Sequence, residues 1–321
     1  MTDTFACSPT SFAVTGCIIP WQRPIRECIE PLQKAQQIGS QTGDIEFACL
    51  NASIYASSLF FTDVKLPAVS RKIADVSYMM TSRRQASMLV LLKPFEQLTH
   101  NLMGLSDDPL VLNGDSMKID DATEHALETR NATSLVCIHL QKMMLCYLFG
   151  DYEGAALVAK DIESVTFAAP GLEYMFCKFF IGLTHLAAAK VYTGWQRYKC
   201  INKAKDIIKK FKIWAENSPH NCLCLRFLLE AEMASLRGKT KKAYEKFTAS
   251  TALAVDAGFR MVEAMTHELC GRHLYAVGNE SLAGASFRKA INCYSDWGAT
   301  AKVTSLEKEV QDLFALTSVQ F

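Results

Sequence analysis

The chain has 321 residues, half of them hydrophobic and 21% charged, and 34 Lys+Arg against 33 Asp+Glu leave a formal net charge of +1. The near-neutral balance excludes a strongly basic nucleic-acid face as the main feature, and the apolar content excludes a disordered chain. A chain this long buries a sizeable core without disulfides or metal, and only 9 Pro and 16 Gly favour helix.

Residues 1–14 read as a flexible N-terminal tail; they carry neither a basic n-region nor a long apolar run, so no secretory signal is expected. Apolar spacing of three to four residues predicts helices over 23–40, 45–62, 66–81 and 83–103, an N-terminal group of hairpins within 15–103. Residues 104–121 hold Gly104, Asp107-Asp108-Pro109 and Asn113-Gly114-Asp115 and predict a loop, or softer joint. Helices are then expected over 122–149, 152–165, 171–193, 195–216, 221–237, 240–257, 260–277 and 280–296, forming repeats within 122–298. A last helix over 299–315, within the segment 299–321, caps the array. The greasiest stretch, 45–61, is broken by Glu, Asn and Ser and falls short of the ~20 residues of a membrane span.

A repeat underlies this series. Gly271, Gly278, Ala283, Phe287 and Ala290 recur 40 residues upstream as Ala231, Gly238, Ala243, Phe247 and Ser250. Gly150 with Ala155 and Gly43 with Ala48 repeat the glycine and the alanine five residues later. The glycine ends one helix in a backbone conformation that a Cβ penalises. The alanine marks the closest approach of the second helix, and Phe247 and Phe287 fill the wedge between hairpins. Trp297 and Gly298 close the last copy. The expectation is an all-α, tetratricopeptide-like helical-hairpin superhelix (an α-solenoid), right-handed, with a C-terminal capping helix.

Catalytic motifs do not emerge. Phosphate-binding glycine loops, kinase signatures, a Gly-x-Ser-x-Gly elbow and a His-Glu-x-x-His zinc helix are all missing; His267-Glu268 is followed by Leu269-Cys270-Gly271. Twelve cysteines form no Cys-x-x-Cys; His220-Asn-Cys222-Leu-Cys224 has an alternation that suits a strand better than a zinc knuckle. Buried free thiols are therefore expected, with a reducing, cytoplasmic location. No metal, cofactor or nucleic acid is expected. Asn51-Ala-Ser53, Asn131-Ala-Thr133 and Asn279-Glu-Ser281 match the glycosylation pattern, which a cytoplasmic chain makes irrelevant.

Two surfaces stand out instead. Lys199, Lys203, Lys205, Lys209, Lys210 and Lys212 line one helix whose other face carries Ile201, Ala204, Ile208, Phe211 and Ala215. A repeat helix with a solvated lysine face is the favoured reading; a calmodulin target or an anionic-membrane contact is the sharper alternative. The first helices of the hairpins present Glu232, His267, Glu268 and His273 as candidate exposed groove contacts for a protein partner. An enzyme or ligand-binding pocket between hairpins is the competing reading; it requires a cavity collecting several of His139, His185, Glu232 and Glu268.

A resemblance adds to this. Trp21-Gln-Arg-Pro24, Gly43-Asp44, Arg84-Gln85 and Leu148-Phe-Gly-Asp-Tyr-Glu153 resemble the helical-repeat region between the ATPase and the GAF/histidine-kinase modules of large multidomain signalling kinases. So do Trp214-Ala-Glu-Asn-Ser-Pro219-His-Asn221, Leu228-Leu-Glu-Ala-Glu232, Ala257-Gly-Phe259 and Tyr294-Ser-Asp-Trp297-Gly-Ala-Thr-Ala-Lys302. The resemblance spans roughly residues 15–315. It implies the repeat fold and a connecting role in signal transduction. It implies no catalysis, because the kinase and ATPase modules lie outside these residues. A chain that starts with Met and stops soon after its capping helix reads as a stand-alone descendant or a gene fragment.

Overall fold

Helix follows helix because apolar residues recur at helical spacing and turn residues punctuate the breaks. The computed structural model describes residues 7–165 and 171–318. In chain order these form α1 (Cys7–Ser11), a π-helical turn Phe12–Ile18, a 3-10 turn Ile19–Trp21, α2 (Arg26–Thr42), α3 (Ile45–Phe61), α4 (Leu66–Ser82) and α5 (Ala86–Leu102). After a loop come α6 (Ile119–Glu128), α7 (Ala132–Leu148), α8 (Tyr152–Ser164), α9 (Leu172–Val191) and α10 (Gly194–Asn217). The series ends with α11 (Pro219–Leu236), α12 (Thr240–Ala257), α13 (Arg260–Ala276), α14 (Glu280–Trp297) and α15 (Thr300–Ser318). No strand occurs among the described residues. Consecutive helices pack as hairpins, α7 on α8, α9 on α10, α11 on α12 and α13 on α14, with α15 against α14. The protein is an all-α helical-hairpin array.

The turns explain the 40-residue register. Gly238 and Gly278 take φ of 67° and 81°. Behind them Lys239 N–H reaches back to Ala234 O, and Asn279 N–H to Leu274 O, both at 2.9 Å. This wrap satisfies helix-end carbonyls and uses the left-handed conformation that glycine adopts at no steric cost. Gly43 and Gly150 take the same left-handed conformation. Ala48, Ala155, Ala243, Ala283, Phe287 and Ala290 are fully buried, and Phe247 nearly so. Gly271 has a packing reason of its own: a Cβ there would sit 2.9 Å from the Phe287 ring. Ala243→Leu and Ala283→Leu are therefore expected to overpack their hairpins and each cost about 1–3 kcal/mol. Thermal melts check this; unchanged melting at both positions would refute the register.

Four expectations need correction. Residues 7–14 of the expected tail are helical, and Ser8 is buried where the Asn51 amide donates to its carbonyl at 2.9 Å; residues 1–6 lie outside the described residues. The helix expected over 122–149 is two, broken at Thr129-Arg130-Asn131, with Arg130 at φ 52° in the glycine position of the wrap. The loop ends earlier than 121, since Ile119 opens α6 and the Asn113 side chain accepts from Ile119 N–H at 2.7 Å. His220-Asn-Cys222-Leu-Cys224 is helical, inside α11, because Pro219 opens that helix and Leu225, Leu228 and Leu229 continue its buried face.

The N-terminal helices do not stand apart from the repeats. They pack against the turns that lead from each hairpin into the next. Asn221, at the start of α11, donates to Pro20 O at 2.7 Å and to Arg23 O at 2.8 Å, and accepts from Ile25 N–H at 3.2 Å. The Trp21 ring meets Trp214 edge-on at 5.1 Å. Phe61 stacks on Phe176 at 3.9 Å, and Phe60 meets Trp297 at 5.5 Å. Gly298, at φ 93°, lies so close to α4 that a Cβ would come within 2.9 Å of Pro67. Thr300 donates to Met103 O at 2.5 Å. One edge of the array is thus covered by residues 20–104, and among the described residues nothing lies against the Gly238 and Gly278 turns on the other edge.

Candidate functional site

At the open edge, the ends of the first helices converge on α15. They enclose a cleft of about 580 Å³ lined by Tyr152, Lys190, Ser235, Arg272, His273 and Glu309, with Gly150, Leu236 and Ala276 at its margins. A buried ionic network lies behind this lining and is joined to it through Arg272. Glu268 receives Arg272 and Lys302 at 2.8 Å each on one oxygen and the Tyr294 hydroxyl at 2.7 Å on the other. Lys302, only 1% exposed, also donates to Leu148 O and so ties the capping helix to the first repeat hairpin. Arg272 grips Glu309 with two parallel bonds of 2.8 and 2.7 Å and donates to Tyr152 Oη at 2.6 Å. Such a fork fixes the guanidinium in one geometry. Beside it Lys190 pairs with Glu232 at 2.6 Å, and Ser235 Oγ lies 2.8 Å from His273 Nδ1. Tyr147 Oη and the second oxygen of Glu232 are buried without a hydrogen-bond partner.

The electrostatics follow from burial and pairing. Burial alone would raise the Glu268 carboxyl, but Lys302 and Arg272 outweigh it and hold it below the usual carboxylate range. Burial raises the Tyr147 and Tyr294 phenols well above their ordinary value and Tyr152 to about 12, helped by the surrounding carboxylates. The phenols therefore stay protonated; Tyr294 donates to Glu268, and Tyr152 accepts from Arg272.

The expected groove contacts divide differently from the sequence reading. Glu232, Glu268 and His273 are buried rather than exposed, because partners on α9, α14 and α15 and within α11 claim them; of the three, only His273 lines the cleft. His267 lies elsewhere, with Glu263 and Cys293; donor atoms of the three fall within 4.8 Å of one another. There Glu263 is already engaged, accepting from Cys293 at 3.4 Å and pairing with Arg260 at 3.1 Å. Burial and the Glu263 charge push the Cys293 thiol up to about 12. His139 and His185 do not line the cleft; His185 faces Glu163 at 3.4 Å. Sequence reasoning missed Arg272, Lys302, Tyr152 and Glu309. The four-residue spacing of Glu268 and Arg272 on one helix was the available signal.

The basic helix is α10. Of its expected apolar face, Ala204 and Phe211 are fully buried and Ala215 nearly so, Ile201 and Ile208 are half-buried, and Ile207 is buried in addition. Lys199, Lys209, Lys210 and Lys212 are exposed, Lys203 pairs with Glu163, and Lys205 and Lys209 turn toward α11 and α12. All twelve cysteines are free. No helix among the described residues is long and apolar enough to cross a membrane.

Burial also sets a pH dependence. It lowers His139, His267 and His273 below the ordinary 6.5, so the unfolded chain takes up these protons first. Stability is then full above that value and falls as pH drops through it. A second loss follows as pH falls from 4.5 toward 2. Burial would raise Glu163, but His185 and Lys203 outweigh it and hold the carboxyl at about 2. The melting temperature is expected to drop steadily from about pH 7.5 to about pH 5.5, with a shallower slope in His139→Gln; a rise over that window would contradict the assignment.

No protein-family model matches the chain, and none of the curated proteins shows measurable similarity to it.

Proposed function

We propose that the chain is a non-catalytic, tetratricopeptide-like scaffold that holds an extended protein segment in the cleft at the open edge of its array. The observation that carries this reading is a peptide-sized cleft with mixed-charge walls, Lys190, Arg272, His273 and Glu309, whose cations are held by ion pairs to the buried Glu232 and Glu268 and to Glu309. Side chains already locked in place lose little freedom when a partner docks, so the affinity of each contact is kept. The resemblance to the connecting region of signalling multikinases supports a connector role in signal transduction. Free thiols fit a reducing, cytoplasmic setting.

A pocket enzyme gains little from the same cleft. Its carboxylate Glu309 is held in an ion pair, its phenol Tyr152 stays protonated, and none of His139, His185, Glu232 and Glu268 lines it. A calmodulin or membrane contact would need the apolar face of α10, of which Ala204, Phe211 and Ala215 are already buried.

Ala276 is exposed at the cleft margin, so Ala276→Trp fills the cleft without entering the core. Peptides enriched from a random displayed library on the intact chain are expected to bind Ala276→Trp at least about tenfold more weakly. They should bind Ser281→Trp, on the exposed start of α14, unchanged. Equal binding to all three proteins, or no enrichment, would overturn the reading.

A further inference from the structure

A second cleft, of about 500 Å³, opens between α10, α11 and α12, where seven cations face a single carboxylate, Glu230. For a chain whose net charge is only +1 this is a local concentration of positive charge. Glu230 neutralises little of it, since Arg226 at 2.7 Å and Lys246 at 2.6 Å already share its two oxygens. Lys209 lies 3.2 Å from Asp206 on its own helix, at an exposed and therefore weak pair. Arg237, Lys239 and Lys242, on the α11–α12 turn, are exposed and have no ion-pair partner among the described residues. The start of α12 carries no side-chain cap, so its backbone N–H groups add partial positive charge at the same place.

The floor decides what kind of anion fits. Beneath the cations lie Ile208, Met233 and Ala234, all apolar and at least half-buried. A compact polyphosphate would meet donors on the rim alone and desolvate against a floor that offers no hydrogen bond. An acidic peptide that also carries one apolar side chain uses both parts, carboxylates on the rim and the side chain on Met233 and Ile208. We propose that this cleft binds an acidic, leucine- or phenylalanine-bearing segment of a partner protein. The site is separate from the cleft that holds Arg272 and Glu309, and it stands or falls independently of that one. Long-range attraction between the rim and the acidic segment would speed encounter and make binding salt-sensitive.

The test uses the full chain and fluorescence anisotropy with a synthetic Asp/Glu-rich dodecapeptide bearing one central Leu. Binding is expected at low salt, at least about tenfold weaker when Leu is replaced by Ser, and several-fold weaker at about 0.3 M salt. The triple variant Arg237→Glu/Lys239→Glu/Lys242→Glu, exposed at all three positions and checked by circular dichroism, should abolish it. Ala276→Trp should leave it intact. Equal affinity for the Ser peptide or for inositol hexakisphosphate would reduce the cleft to an unselective anion patch and overturn the proposal. Tighter binding to phosphatidylserine vesicles than to the Leu peptide, or no change in the triple variant, would overturn it as well.

Discussion

Glu268→Ala is expected to lose about 3–5 kcal/mol of stability. The carboxylate is 4% exposed and is the only ion-pair partner of Lys302 among the described residues. Removing it strands an ammonium in an apolar interior, and burial already lowers that ammonium below its ordinary value. Arg272 suffers less, because Glu309 and Tyr152 still hold it. The discriminating comparison is Glu268→Leu with Lys302→Met. Replacing both charges by apolar groups leaves no ammonium stranded, although the Tyr294 hydroxyl loses its acceptor, so the double variant should recover part of the loss in a urea titration. Equal instability of the single and double variants would mean that shape at this site, rather than charge pairing, carries the energy.

The second large effect lies at the seam between the N-terminal helices and the repeats. Phe61→Ala is expected to cost about 3–5 kcal/mol, and Phe61→Leu clearly less. Phe61 is fully buried, stacked on Phe176 at 3.9 Å and edge-on to Phe60 at 5.2 Å and Phe95 at 6.0 Å. Phe176 in turn meets Phe259 at 5.6 Å, so the ring set reaches from α3 through α9 to the turn before α13. A cavity here removes contacts on both sides of the seam. A cost under about 1 kcal/mol would show that the seam is loosely packed.

Local rules made the array legible. Glycine and alanine at fixed spacing marked hairpins that the structure builds with the same wrap at Gly238 and Gly278. The missed break at 129–131 shows where such rules fail. Arg130 occupies the left-handed position where Gly238 and Gly278 sit, so the sequence carried no punctuation there. Asn131 was noticed only as part of Asn-Ala-Thr. It is the N-cap of α7, its side chain accepting from Ser134 N–H at 3.0 Å. The ionic network was hidden for another reason. Lys302 reads as a surface residue on a capping helix, and its partners lie 34 and 154 residues away. The docking of residues 20–104 along the array was equally invisible. Ser218 and Asn221 drew notice only as part of the resemblance, whereas they bond Pro20 across about two hundred positions. Likewise nothing in the lysine-rich run 199–212 told that Lys205 and Lys209 would meet Arg237, Lys239 and Lys242 across a cleft.

Residues 20–104 brace the repeats into one body, since they bond Asn221, stack on Phe176 and meet Thr300. Native-state hydrogen exchange addresses this bracing directly, since it resolves the opening free energy of each helix. Core amides of α3 around Phe60 and Phe61 and of α13 around Glu268 are expected to exchange through the same highest-energy opening, with one shared denaturant dependence. Exchange of α2–α5 in a separate, lower-energy step, with α9–α15 still protected, would contradict it.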